Sequence, residues 1–181
     1  IKIKDANARE TKAISGLPAS PRLANFRWSP NEEMMSFTHS TSTGVEVWVL
    51  DIADATAKKV TGPKVNANMR TPVAWFADSK ALLVKMLPPD RKPLINTAST
   101  VPQGPTVSVS AGAKAQNRTY QDLLKNPNDE QNFEQLALSQ IKKVSVVGEV
   151  EDWLPTAMYT GISFSPNGEY VMVSQVKRPF S

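Results

Sequence analysis

Short apolar runs, each closed by turn-forming residues, dominate this chain. The stretch 45–51 sets Val45, Val47 and Val49 against Glu46, Trp48 and Leu50, the two-residue period of a β-strand. One phrase occurs three times: Phe26-Arg27-Trp28-Ser29-Pro30-Asn31, Val73-Ala74-Trp75-Phe76-Ala77-Asp78 and Ile162-Ser163-Phe164-Ser165-Pro166-Asn167. Each copy runs apolar residue, gap, aromatic, then a turn closed by Asn or Asp. Each is followed by an apolar run, namely Met34 to Phe37, Ala81 to Val84 and Tyr170 to Val173. That is strand, tight turn, strand. Proline presets φ for the turn, and Asn bonds its own backbone and tolerates the left-handed region.

The spacing turns a motif into an architecture. Trp28 to Trp75 is 47 residues, and Trp75 to Phe164 is 89. A stretch of different composition, residues 88–132, lies in the second interval; without its roughly 45 residues the interval falls to about 44, again one period. Repeats of about 40–50 residues built from short strands predict the four-stranded blades of a β-propeller. The expected fold is all-β, a partial propeller of about three blade equivalents of four-stranded antiparallel sheets, with a loop-plus-helix insertion. A β-sandwich carrying three similar hairpins is the competing reading.

Residues 1–17 are expected as two short strands around Asp5-Ala6-Asn7. The first full blade has strands near 23–28, 33–39, 45–51 and 57–61, and the second opens at 72–76 and 81–86. Pro88-Pro89 then breaks the sheet, since proline cannot donate to a ladder. Residues 88–132 form the insertion between the second and third strands of that blade. Within it Thr119-Tyr120-Gln121-Asp122 fits a capping box. This predicts helices at about 119–126 and 128–137, separated by Pro127, with Asn128 or Asp129 capping the second. Strands at 136–147 and 149–154 complete the blade, and a hairpin at 160–176 opens another. Residues 1–181 are thus expected as a fragment of one propeller domain.

Composition narrows the function classes. The chain has 181 residues, 40% of them hydrophobic, enough for one domain with a core. No apolar run reaches membrane-span length, and no membrane partner is expected. Lys and Arg number 21 against 17 acids, a net charge of +4. The excess is scattered in pairs such as Lys58-Lys59 and Lys142-Lys143, unlike the concentrated basic face of a nucleic-acid binder. Cysteine is absent, which removes thiolate catalysis and cysteine zinc sites. The chain opens inside a strand-like Ile1-Lys2-Ile3-Lys4 without an initiator Met, and reads as a piece of something longer.

The residues that carry hydrolytic chemistry are incomplete. Gly161-Ile162-Ser163-Phe164-Ser165 fails the Gly-x-Ser-x-Gly pattern at its last position. There is one histidine, His39, and a serine triad needs one beside a nucleophile and an acid; His39 is expected as a partly exposed strand residue. Glu149, Glu151 and Asp152 would be split between faces by strand alternation, so a metal site is not expected, nor any cofactor. Asn117-Arg118-Thr119 matches a glycosylation sequon, but Thr119 has a better role as helix cap. Trp28, Trp75 and Phe164 recur at blade period and are expected in the core between blades. Arg178, in Lys177-Arg178-Pro179-Phe180, follows a strand and could hold a carboxylate by a bidentate fork.

Several of these phrases together resemble a known family. They are Trp28-Ser29-Pro30-Asn31, the strand Val45 to Asp51, Lys92-Pro93-Leu94, Arg118 to Lys125 followed by Asp129-Glu130, Ser139-Gln140 and Arg178-Pro179-Phe180-Ser181. Over most of residues 15–181 the chain resembles the N-terminal propeller of prolyl oligopeptidase family serine peptidases. The likeness is nearest to the branch of chloroplast glutamyl endopeptidase and its bacterial exported relatives. The blade phrases are generic to TolB-like propellers; the insertion selects the branch. The resemblance implies a propeller that limits access to a separate α/β-hydrolase domain and helps hold peptide there. It implies no catalytic residue in this chain, Arg178 as a candidate substrate-binding residue, and export to the periplasm of a bacterium. The implied partners are a peptide substrate, the remaining blades and the hydrolase domain. A non-enzymatic TolB-like propeller binding a protein or glycan is the alternative. Half-blades at both ends predict open edges and self-association.

Overall fold

The three repeated phrases fold as three copies of one turn. Ser29 N–H donates to Met34 O at 2.8 Å, Phe76 N–H to Ala81 O at 3.0 Å and Ser165 N–H to Tyr170 O at 2.8 Å. In each, a residue three positions further on closes back on the first: Glu32 on Ser29, Ser79 on Phe76 and Gly168 on Ser165. These closing residues carry positive φ of 62°, 60° and 74°. Four residues separate the bonded ends in each copy, a short hairpin loop built on a tight turn that closes with one left-handed residue. The left-handed position is therefore the residue after Asn or Asp, not the Asn that the sequence suggests. Asn31 and Asn167 act through their side chains instead. Each Oδ1 accepts from the serine hydroxyl two residues back, at 2.7 Å and 2.6 Å. Each Nδ2 donates to the glutamate two residues on, at 2.6 Å and 2.8 Å.

The structure, a computed structural model, describes residues 1–4, 6–7, 11–96, 112, 124 and 126–180. Its strands are β1 (Lys2–Lys4), β2 (Thr11–Ala13), β3 (Leu23–Trp28), β4 (Met34–Ser40), β5 (Val45–Asp51), β6 (Thr56–Lys59), β7 (Val73–Trp75) and β8 (Ala81–Met86). The helix α1 (Pro127–Ala137) follows, then β9 (Ser139–Ser145), β10 (Val150–Ala157), β11 (Tyr159–Phe164) and β12 (Val171–Gln175). Among the described residues the named strands pair as antiparallel meanders, and one isolated bridge, Ser15 to Thr56, is parallel. One four-stranded sheet runs β3-β4-β5-β6, a second runs β7-β8-β9-β10, and β1-β2 and β11-β12 are two-stranded. Among the first strands β7 neighbours both β3 and β11, so these strands form the inner end of each blade. The fold is that of an open propeller segment.

Faces of adjacent blades bury each other. Between the two full blades lie Val47 and Val49 from one side and Val73, Trp75, Leu82, Val84 and Val144 from the other. Between the second blade and β11-β12 lie Leu83, Ile141 and Tyr159, with Phe76, Phe164 and Val173 against them. Adjacent residues of β8 thus feed two different cores, and all six of its residues are buried. That is why β8 reads as a continuous apolar run rather than an alternation. Each fully buried Leu or Val here contributes about 1.5–3 kcal/mol.

Several sequence expectations need correction. Residues 136–147 are not one long strand: α1 runs to Ala137 and β9 begins at Ser139. The cap of α1 is Asn126, whose side chain accepts from Asp129 N–H, and Pro127 is the first helical residue rather than a separator. Proline is tolerated there because that N–H has no intrahelical partner. The expected helix at 119–126 lies outside the described residues, apart from positions 124 and 126. The aromatic trio is not uniformly core. Trp75 is buried, but Trp28 is 57% exposed, because among the described residues no inner hairpin covers its face of β3-β4. His39 is buried rather than partly exposed; its ring lies 6.2 Å from Trp48, and its Nδ1 has no hydrogen-bond partner among the described residues.

Candidate functional site

The meander topology sends the long connections to one end of the blades. The tight turns at 29–33, 76–80 and 165–169 lie at the opposite end. At the first end come together the linker 62–72, the described residues 87–96 and 126–138 between β8 and β9, and residues 176–180 after β12. Residues 87–138 leave and rejoin one sheet at adjacent strands, since Met86 pairs with Gln140.

Helix α1 is tied to this end by side-chain amides. Asn66, only 1% exposed, donates to Leu136 O at 3.0 Å and Leu138 O at 2.8 Å. Asn68 donates to Leu136 O at 3.1 Å. These two residues satisfy carbonyls that a helix end leaves without intrahelical partners. On another side Asn132 bonds both backbone groups of Ile95, accepting at 2.7 Å and donating at 2.9 Å. Gln135 accepts from Lys92 N–H at 2.8 Å.

Below the linker sits a buried cation. Lys85 on β8 has no exposed surface, and its ammonium donates to Asn68 O at 2.8 Å and Met69 O at 2.7 Å. Burial pulls its pKa down from 10.5 to about 8. Both carbonyls are presented by a kinked stretch in which Met69 and Arg70 have φ of 56° and 70°.

Arg178, the candidate singled out from sequence, stands beside α1. Its Nη1 donates to Glu130 Oε2 at 2.8 Å, and its Nε donates to Glu134 Oε1. Glu130 and Glu134 are one helical turn apart and face the same way. The Arg178 hydrogen bond, reinforced by its charge, holds the Glu134 carboxyl below its usual range. The same two glutamates raise the guanidinium, Glu134 most. Phe180 stacks edge-on against Phe133 at 5.0 Å. The guanidinium is thus already chelating two carboxylates, the chemistry expected of it toward a ligand, with partners from its own chain.

The other sequence candidates are dispersed. Asp152 pairs with Lys142 at 2.6 Å, and Glu151 lies 4.0 Å from Lys143; no group of three potential metal ligands occurs among the described residues. Ser163 is exposed on β11, far along the chain from the buried His39. Sequence reasoning missed Lys85, which looks like an ordinary strand polar position. It also missed Asn66 and Asn68, whose roles depend on residues some 70 positions away. The i, i+4 spacing of Glu130 and Glu134 was a usable signal for an acidic helix face.

The sheets define a class, a segment of an open β-propeller whose blades are four-stranded antiparallel meanders. Comparison with known proteins adds the relatives. The chain is 30% identical over 190 residues to a protein of Oryza sativa subsp. japonica described as a probable chloroplastic glutamyl endopeptidase. It is 31% identical over 193 residues to one of the same description from Arabidopsis thaliana. These alignments take in 98% and 99% of the chain but 20% and 19% of the relatives, so the chain spans about a fifth of their length. No family model matches it. Among solved structures it is similar to TolB from Acinetobacter baumannii, with 12% identity, a TM-score of 0.38 and coverage of 98% of this chain and 43% of that one. It is also similar to an acylaminoacyl peptidase of Pyrococcus horikoshii, with 14% identity, a TM-score of 0.32 and coverage of 76% and 26%. The resemblance read from the blade phrases and the insertion thus holds: glutamyl endopeptidase-like proteins match the chain over nearly its whole length.

Proposed function

We propose that this chain is the non-catalytic propeller portion of a prolyl oligopeptidase-family serine peptidase. In that role it limits access to a separate α/β-hydrolase domain and helps bind peptides there. The observation that carries the reading is the alignment of nearly the whole chain with one-fifth of probable glutamyl endopeptidases. The chain itself supplies one histidine and no Gly-x-Ser-x-Gly elbow, so the nucleophile, base and acid would come from elsewhere in a longer protein. The expected result is that the purified 181-residue chain leaves Glu-containing peptides intact, whereas the longer protein bearing it cleaves them. A longer protein with no nucleophile elbow would overturn the reading in favour of a non-enzymatic binding propeller. So would cleavage by this chain abolished by a mutation within it.

The same reading treats residues 88–132 as an insertion outside the blade core, grafted on the end that carries Arg178. In the longer enzyme Arg178 would attract acidic peptide groups, which would displace Glu130 and Glu134 from its guanidinium. Arg178→Ala should then lower kcat/KM for acidic peptides more than for neutral ones. An equal fall for both, or none, would remove Arg178 from substrate binding.

A further inference from the structure

Where the linker from the first full blade meets the outer strands of the second lies a cavity of about 430 Å³. That is within the roughly 300–1,000 Å³ of small-molecule sites. Its apolar walls include Met86, Leu87, Pro88 and Val150, and its polar groups are Lys64, Arg91, Lys142 and the Gln140 amide. Three cations therefore line it, and among the described residues no carboxylate does.

Backbone bonds hold these groups in place. Val65 bridges to Met86 and Leu87 N–H donates to Lys64 O at 2.7 Å, so Lys64 and Leu87 stand side by side. Arg91 N–H donates to Pro88 O at 3.3 Å, which folds the chain back at the prolines. Gln140 and Lys142 pair with Met86 and Val84 across the β8-β9 ladder. Directly opposed residues share a face, and Met86 and Val84 face the first blade. The amide and the ammonium therefore lie on that same face.

The three cations are not equally occupied. Lys142 is held by Asp152 at 2.6 Å. Lys64 and Arg91 have no ion pair among the described residues. Arg91 Nε is shielded from solvent and has no hydrogen-bond partner there. A guanidinium N–H taken out of water without an acceptor is costly, and buried polar groups are nearly always paired. What would satisfy it is an acceptor, and the surrounding positive charge favours an anion.

We propose that this cavity binds a small carboxylate carrying an apolar chain. The carboxylate accepts from Arg91, whose planar fork matches its geometry, with Lys64 as the second charge. The apolar chain lies along Met86, Leu87, Pro88 and Val150. Occupancy ties the linker 62–72 to the root of the insertion at 88–91. The site shares no residue with the Arg178 cluster and does not depend on the peptidase role.

Isothermal titration of the 181-residue chain with hexanoate tests this, with hexylamine and inorganic phosphate as comparisons. Hexanoate should bind with a Kd of about 1 mM, the scale for a ligand of its size. Hexylamine and phosphate should each bind at least roughly tenfold more weakly. Arg91→Gln and Lys64→Gln should each weaken hexanoate about tenfold, the loss of one charged hydrogen bond. Lys143→Gln should leave binding unchanged, because its ammonium lies on the other face of β9 over Phe76. Circular dichroism establishes that the variants remain folded. Absence of hexanoate binding overturns the proposal, as does binding indifferent to Arg91 and Lys64. Hexylamine binding as tightly as hexanoate overturns it in favour of a purely apolar cleft. Phosphate binding as tightly, or an equal fall in Lys143→Gln, overturns it in favour of an unspecific basic patch.

Discussion

Identical-looking residues do different work according to what lies opposite them. Trp28 and Trp75 occupy the same place in the repeated phrase, yet one is exposed and the other buried with its indole bonded to Arg27 O. Trp75→Phe should cost about 1–2 kcal/mol, from the lost bond and lost packing. Trp28→Phe should stay within about 0.5 kcal/mol. Urea melts of both variants check this, and equal losses would contradict it. The phrase itself was legible in the sequence; the exposure of one copy was not, because burial belongs to the neighbouring hairpin. Lys85 is the stronger case. With a folded pKa near 8 against 10.5 unfolded, the folded state releases its proton first as pH rises. Stability should therefore climb between pH 8 and 10.5 relative to Lys85→Met, by on the order of 3 kcal/mol. Denaturant melts of both proteins across that window give the measurement, and parallel curves would rule it out. A lone lysine among apolar strand residues carries no sign in the sequence that two backbone carbonyls await it.

Among the elements, hairpins were the most readable and the insertion the least. A strand-turn-strand phrase states its own partner, since its two strands are adjacent in sequence. The helix was placed from its 128–137 pattern, but its cap and the onset of β9 were misplaced. What ends α1 is remote: Asn66 and Asn68 hold the carbonyls at its C-terminal end. The helix is further clamped by Arg178 through Glu130 and Glu134. Glu134 has a folded pKa below its usual value. Its contribution is therefore complete above the unfolded pKa of about 4.5 and lost as pH falls through the lower folded value. Protection of the α1 amides, taken against their intrinsic exchange at each pH, should fall below about pH 4.5 in the wild type, while in Glu134→Gln this acid step should shrink. A helix equally protected at pH 3 and pH 7 would show that the amide clamps suffice. Replacing residues 88–132 by a short polar linker should leave the four-stranded sheet cooperative, as judged by far-ultraviolet circular dichroism. Loss of the sheet would mean that the insertion is part of the blade core.

For the whole molecule, the blade period foretold a stack of sheets, and stacks distribute stability unevenly. Each blade touches only its neighbours, so protection should follow how many faces are covered, as in repeat arrays. β8 has both faces covered and every residue buried. β5 is covered on one side by the second blade and on the other by Ile3, Ile14 and Leu17. At the ends, β1 and β2 are mostly exposed, and β12 leaves Met172, Ser174 and Gln175 open. Local opening free energies run from near zero at frayed elements up to the global value in the core. Native-state hydrogen exchange on a dilute sample should therefore be slowest in β8 and β5, intermediate in β10, and fastest in β1, β2 and β12. Uniform protection along the chain would show instead that the array opens as a single unit, with the end hairpins as firmly held as the strands between blades.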